Sequence, residues 1–295
     1  KDGVEPEAIC FYSGELINDH QSFYRLIKTQ LAEMPKETLK YFIIDEITYI
    51  KDWDKTVKYL ADIGELESTL LMLSGSNLVL MQDARKRFPG RRGRAAVVDF
   101  HYYPLSFREF AQLKNKLPHE DQINESMPAN ILQDLYDEFD QYLIHGGFLK
   151  AINDYHQFQH IPLSTLAIYS DWIRGDVLKR KKNEVFLKEI IAAILKHYTK
   201  QVSWDNLVKE LSIDHTQTVA DYISLLSSMD AVFVQPAIIE EKLVAAPKKR
   251  KKLMFCDPFI YHAMNAWLNN SSDPFKQKIF PLFDNPEVYS LLVEG

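Results

Sequence analysis

The order of apolar and polar positions divides the chain into a stretch that alternates strand with helix and a longer stretch that is mostly helical. Ala8 to Ser13 (AICFYS) predicts a strand, and Phe23, Leu26, Ile27 and Leu31 share one face of a helix beginning near Asn18. Leu39 to Asp45 (LKYFIID) is an apolar run ending in acid, the pattern of a buried parallel strand. Asp52 is placed to cap the next helix, in which Trp53, Val57, Leu60 and Ala61 fall together. Thr69 to Leu73 (TLLML) predicts another buried strand, followed by Ser74-Gly75-Ser76-Asn77, a helix to about Phe88, and a strand over Ala95 to Tyr103 (AAVVDFHYY). This alternation argues for a parallel sheet covered by helices, an α/β class.

Pro104 breaks the pattern, and Ser106-Phe107-Arg108-Glu109 is a capping box that opens a helix. Residues 115–127 are polar and predict a loop. From about residue 128 the pattern turns helical: Leu132, Leu135, Phe139 and Leu143 form an apolar stripe ending at Gly146-Gly147, and further helices fit residues 163–181 and 184–199. Ser203 caps a short helix (WDNLVKEL), a turn follows at Ser212-Ile213-Asp214, and a second helix runs from about His215 to Met229. Val232 to Val234 and Leu253 to Cys256 read as strands. Helix, turn, helix and β-hairpin is the order of a winged helix.

Composition narrows the classes. With 295 residues, 46% of them hydrophobic, the chain has material for two cores of ordinary size. A net charge of −6 gives no general attraction to nucleic acid or anionic membrane, so such binding has to be local. No apolar run reaches the roughly 18 residues of a membrane span. Cys10 and Cys256 make neither a disulfide framework nor a metal signature, in keeping with a reducing cytoplasm. The nine histidines include no His-x-x-x-His pair beside an acidic base, which argues against a zinc hydrolase.

The sharpest chemical signal is Tyr41-Phe42-Ile43-Ile44-Asp45-Glu46, an apolar strand ending in Asp-Glu, the Walker B arrangement. At the carboxyl end of a parallel strand the pair enters the crevice where such sheets bind ligands. Asp45 is placed to hold Mg²⁺ through water and Glu46 to polarise an attacking water. A strand followed by an acidic helix cap is the plainer reading. Ser76 or Asn77, just past the next strand, is placed as a sensor of phosphate; a simple turn is the alternative. Pro89-Gly90-Arg91-Arg92-Gly93-Arg94 sets three arginines in a Gly-containing loop, suited to phosphate as an arginine finger to a neighbouring copy, or else a solvated basic loop.

Taken together, YFIIDEITYIKDW, LMLSGSN, PGRRGR and YYPLSFREF resemble the prokaryotic AAA+ ATPases, archaeal and bacterial, in which a PLSFxEF motif closes the ATPase core and a helical, winged-helix half follows. Tyr142 to Phe148 (YLIHGGF), Trp172 to Asp176 (WIRGD) and Phe255 to Phe259 (FCDPF) agree with that resemblance. It implies a P-loop NTPase-like core that binds ATP and Mg²⁺, with Walker B roles for Asp45 and Glu46, a sensor at Ser76 or Asn77, and a finger at Arg92, or at Arg91 or Arg94. It offers Arg174 as a second sensor, against the reading of a helix-surface arginine. The departure is that no Gly in the chain is followed by Lys, so the phosphate-gripping G-x-x-x-x-G-K-[ST] is not within these residues. The expected place of that motif is before the strand near Ala8, and both ends of the sequence read as cut, although natural loss of the motif stays open.

The expected organisation is an ATPase core over residues 1–115, a helical lid-like region over 116–183, a winged helix over 184–260 and the start of a further region over 261–295. The basic run Lys248, Lys249, Arg250, Lys251 and Lys252 sits where a wing would be, as a DNA contact or a solvated loop. The second helix of the pair, HTQTVADYISLLSSMD, carries no Lys or Arg to anchor it on phosphates. The functional expectation is an ATP-hydrolysing protein that couples nucleotide state to shape, with these residues inactive alone. The alternative is a nucleotide-gated DNA-binding or protein-binding switch with little turnover.

Overall fold

The computed structural model describes residues 3–36, 38–75, 78–93, 97–117, 128–246 and 249–295. Ser76, Asn77, Arg94, Lys248 and most of the expected 115–127 loop lie outside the described residues. The chain divides into two compact units, Lys1–His101 and Tyr102–Gly295.

The first unit is built on three parallel strands, β1 (Ile9–Ser13), β2 (Lys40–Asp45) and β3 (Thr69–Leu73), in that spatial order. They are connected through α1 (His20–Glu33) and α2 (Trp53–Asp62), and α3 (Leu78–Lys86) follows β3. Helix α1 starts where it does because the Asp19 carboxylate accepts from the N–H groups of Gln21 and Ser22, at 2.9 and 2.8 Å. Phe23, Ile27 and Leu31 of α1, Phe42 and Ile44 of β2, and Trp53, Val57 and Leu60 of α2 make one continuous core. The opposite face of the sheet leaves Ile9, Phe11, Leu70 and Met72 exposed.

Two expectations need correction here. Asp52 stands at the start of α2 but in a left-handed conformation with no capping bond from its side chain; its carboxylate takes Lys55 Nζ at 3.0 Å instead. Residues 97–103 form no strand, and Val97, Phe100, Tyr102 and Tyr103 are exposed. Alternating apolar residues set a strand's preference, but a strand also needs a ladder partner, and the described sheet ends at β1 and β3.

The second unit opens with α4 (Phe107–Leu113), held by the expected capping box between Ser106 and Glu109. There follow α5 (Ala129–His145), α6 (Leu149–Phe158), α7 (Leu163–Lys179), α8 (Glu184–Lys196), α9 (Trp204–Val208) and α10 (Thr216–Ser228). Strand β4 (Val232–Pro236) then pairs antiparallel with β7 (Lys251–Phe255), and between them β5 (Ile238–Ile239) pairs with β6 (Val244–Ala245). Helices α11 (Pro258–Asn269) and α12 (Pro286–Glu294) complete it. Residues 102–115 pack within this second unit. Leu105 N–H donates to Gly147 O at 2.9 Å, Tyr142 O–H donates to Leu105 O at 2.8 Å, and Phe107 lies against Phe139 with ring centroids 5.0 Å apart.

That contact is the centre of a buried polar clasp. Helix α5 stops at Gly146 (φ 58°, ψ −156°), a conformation that needs glycine, and a Cβ there would lie 1.8 Å from Asp257 Oδ1. Gly147 is as crowded: its Cβ would lie 1.9 Å from Leu105 O. Gly147 N–H and Phe259 N–H both donate to the Asp257 carboxylate at 2.7 Å. Burial nevertheless pushes Asp257 up to about 6, the amide donors opposing the rise. Burial pushes His262 down to about 4, and His145 likewise to about 4. His262 Nε2 sits 2.8 Å from Leu143 O.

Two predictions follow from the clasp. Gly147→Ala should cost about 3 kcal/mol by overpacking against a backbone carbonyl, read as a lower urea midpoint for unfolding. For pH, a histidine held neutral below its ordinary 6.5 contributes stability above pH 6.5 that is lost as pH falls toward 4. Asp257, raised to about 6, acts in the opposite sense and gains stability as pH falls from 6 toward 3.8. With two histidines against one aspartate the net effect is acid destabilisation between pH 6.5 and 4. His262→Gln keeps a donor for Leu143 O and should lower that slope by about 1.4 kcal/mol per pH unit near pH 5, measured by denaturant titration across the window.

Candidate functional site

The register of the three strands brings one row of polar groups to the carboxyl edge of the sheet. Ser13 of β1 pairs with Asp45 of β2, and Ile44 pairs with Leu73 of β3, so that Ser74 follows beside Asp45. The ladder continues past the strands, with Ser74 N–H donating to Ile44 O at 3.0 Å and Ile47 N–H donating to Ser74 O at 2.8 Å. The Ser74 hydroxyl donates to Asp45 Oδ1. Ser76 and Asn77, the expected sensors, lie outside the described residues. The hydroxyl on Asp45 is Ser74, and counting the register across β2 and β3 is the signal that finds it.

Glu46, next in the chain, has φ 52° and ψ 42°, left-handed for a residue with a side chain, and caps the one-turn helix Ile47–Tyr49 without a side-chain bond. Such a conformation costs on the order of 1–3 kcal/mol and persists only where surrounding structure enforces it. Asp45 is exposed at the strand end. A single carboxylate with a hydroxyl beside it suits Mg²⁺, which keeps most of its waters and takes few protein ligands. Among the described residues no group of three or more His, Cys, Asp or Glu is arranged to enclose a metal by itself.

The arginine loop lies in the same unit and its described members are engaged. Arg91 forks onto Asp62, donating from Nε to Oδ1 and from Nη2 to Oδ2, the latter at 3.2 Å, while Nη1 donates to Pro89 O at 3.2 Å. Arg92 pairs with Asp99. Arg174 is in the second unit, on α7, where it donates to Asp171 and Glu184, each at 2.6 Å, and stacks over the Trp267 ring at 5.3 Å from the centroid. These bonds are those of a helix-surface arginine tying α7 to α8 and α11.

The basic run is divided by the fold. Lys251 is buried in β7, its backbone paired with Val202 and its ammonium 4.1 Å from the Trp204 ring centroid; burial lowers its pKa. Lys252 pairs with Glu294. Lys249 and Arg250 are exposed. A second basic run, Lys179-Arg180-Lys181-Lys182, stands at the end of α7. There Lys179 lies 3.5 Å from Asp176, and Lys182 sits 4.6 Å from the Tyr222 ring centroid. Among the described residues no helix is long and apolar enough to cross a membrane.

Comparison with known proteins matches two separate stretches of the chain. Residues 2–111 match the family model of an AAA domain, and residues 136–272 match a model described as a domain of unknown function (DUF8612). An uncharacterized protein of Haemophilus influenzae is 24% identical over 237 residues, covering 77% of this chain and 54% of the relative. The chain thus spans about half the length of the curated relative it matches. Among solved structures, the Orc1 protein of Aeropyrum pernix in complex with DNA aligns over 93% of this chain and 79% of its own, with 11% identity and a TM-score of 0.30. The matched N-terminal stretch holds helices and a parallel sheet whose central strand ends at Asp45, with Glu46 next.

Proposed function

We propose that this protein is an AAA+-type, Mg²⁺-dependent ATPase that couples nucleotide state to a change of shape. The observation that carries the reading is the carboxyl edge of the sheet, where Asp45 accepts from Ser74 and Glu46 is held in a left-handed turn beside it. Bound Mg²⁺ supplies neutralisation of phosphate charge. Asp45 would hold that ion through its waters, with the Ser74 hydroxyl orienting the Asp45 carboxylate. Glu46 orients and polarises the attacking water. The backbone cradle for phosphate, G-x-x-x-x-G-K-[ST], is not within these 295 residues, which makes the edge half of a site. An arginine finger offered to a neighbouring copy requires Arg91 or Arg92 to leave Asp62 or Asp99.

The order α9, α10, β4 and β7 supports reading residues 184–260 as a winged helix, and with it the second reading, a nucleotide-gated switch that binds DNA or protein with little turnover. The exposed Lys249 and Arg250 favour it.

Three outcomes separate the readings. The purified 295-residue chain should bind ATP weakly and hydrolyse almost none; Mg²⁺-dependent phosphate release by this chain would overturn that. In a full-length polypeptide that carries a phosphate loop, Glu46→Gln should abolish turnover while retaining ATP binding, whereas unchanged turnover would favour the switch. If the hairpin binds duplex DNA through Lys249 and Arg250, log K should fall with log salt at a slope of about −2, two phosphates' worth; salt-independent binding would exclude that contact.

A further inference from the structure

The turn that carries Glu46 is gripped from both sides by glycines. Gly14 follows β1 and Gly75 follows β3, so each stands at the carboxyl end of a strand flanking β2. A Cβ on Gly14 would lie 2.4 Å from Glu46 O, 2.9 Å from Glu46 C and 3.2 Å from Asp45 O, all backbone atoms with no freedom to swing away. A Cβ on Gly75 would lie 2.7 Å from Thr48 Cγ2 and 3.3 Å from both Thr48 Oγ1 and Met81 Sδ. Neither Gly14 nor Gly75 has a left-handed φ, so neither glycine is present for backbone freedom. What both positions require is the missing side chain.

We infer that Gly14 and Gly75 are positioning residues: by letting the ends of β1 and β3 close onto residues 45–48, they hold Glu46 in its left-handed conformation and aim its carboxylate. The chemical consequence rests on the ATPase reading above; the geometric one does not. The two glycines differ in what they meet. Gly14 abuts the Glu46 carbonyl directly, so a methyl group there pushes the peptide that follows Glu46. Gly75 abuts a side chain, and the γ-methyl of Thr48 is the nearest obstacle. Thr48→Ser removes that methyl and leaves the hydroxyl, which makes space for the methyl of Gly75→Ala.

The experiment uses the full-length polypeptide with Gly14→Ala, Gly75→Ala, Thr48→Ser, and Gly75→Ala combined with Thr48→Ser. The first readout is the backbone chemical shift of Glu46, which reports φ and ψ without any nucleotide. The second is the split between ATP Kd and kcat. Wild type should show the left-handed shift at Glu46, and each alanine variant should lose it. Because a misplacement of about 1 Å can cost on the order of 100-fold in rate, kcat should fall by roughly 10- to 100-fold while Kd for ATP stays within about threefold. Thr48→Ser should restore both the shift and kcat to Gly75→Ala. If Gly14→Ala fails to fold, the Gly75 and Thr48 pair carries the test. An unchanged Glu46 shift in the alanine variants overturns the inference, as does a changed shift with kcat intact. Absence of rescue by Thr48→Ser overturns it for Gly75. A full-length wild type with the left-handed shift but no turnover refutes the ATPase reading and leaves the geometric inference standing on the shifts.

Discussion

Everything proposed for the first unit depends on the register of three parallel strands. Parallel pairing sets all carboxyl ends on one side, and the pairing of Ser13 with Asp45 and of Ile44 with Leu73 decides which residues share that edge. Slipping β3 by one residue would turn Leu71 and Leu73 to the other face of the sheet and take the Ser74 hydroxyl away from Asp45. Burial on one face holds the register in place. Phe42 and Ile44 are fully enclosed by α1 and α2, and they belong to the strand whose end carries the acids. Packing and chemistry are therefore coupled through β2: the residues that anchor it are one and three positions before Asp45.

The second unit has a different anchor. Leu105, Gly147 and Asp257 come from three separated stretches of sequence, and they meet in a run of backbone and carboxylate hydrogen bonds that excludes any Cβ at two consecutive glycines. Burying a carboxylate is costly unless it is well bonded, and Asp257 is raised to about 6 in spite of its amide donors. The clasp explains why YPLSFREF, YLIHGGF and FCDPF read as motifs. Their common feature is one packing site at the start of the second unit.

What the sequence made legible was local. The strands around Cys10, Phe42 and Leu71, the capping boxes and caps at Ser106 and Ser203, and the Asp45-Glu46 pair all follow from period, cap chemistry and the polarity of a strand end. The Asp52 cap is a local miss; the others are non-local. Residues 97–103 have a strand's alternation and no described ladder partner. Lys251 lies in a run that reads as a solvated wing, yet the alternation of β7 turns it inward onto Trp204, 47 positions earlier. Ser74 was visible as a residue, but its bond to Asp45 is set by pairing between β2 and β3. Gly14 gave no signal of its own, because crowding by Glu46 O depends on how two strand ends approach.

The left-handed Glu46 ties these threads together. In an unstrained turn a glutamate after a buried strand is a helix cap like many others, and its side chain samples several directions. Here the conformation is unfavourable for any residue but glycine and, more weakly, asparagine or aspartate. It is retained by close contacts from Gly14 on one side and by the Ile47 to Ser74 bond on the other. A plain capping role would be served as well by relaxed backbone, and the side chain makes no capping bond. The strain is kept at the carboxyl edge of a parallel sheet, next to a carboxylate already oriented by a hydroxyl. On the ATPase reading proposed above, loosening that backbone slows turnover more than it weakens nucleotide binding.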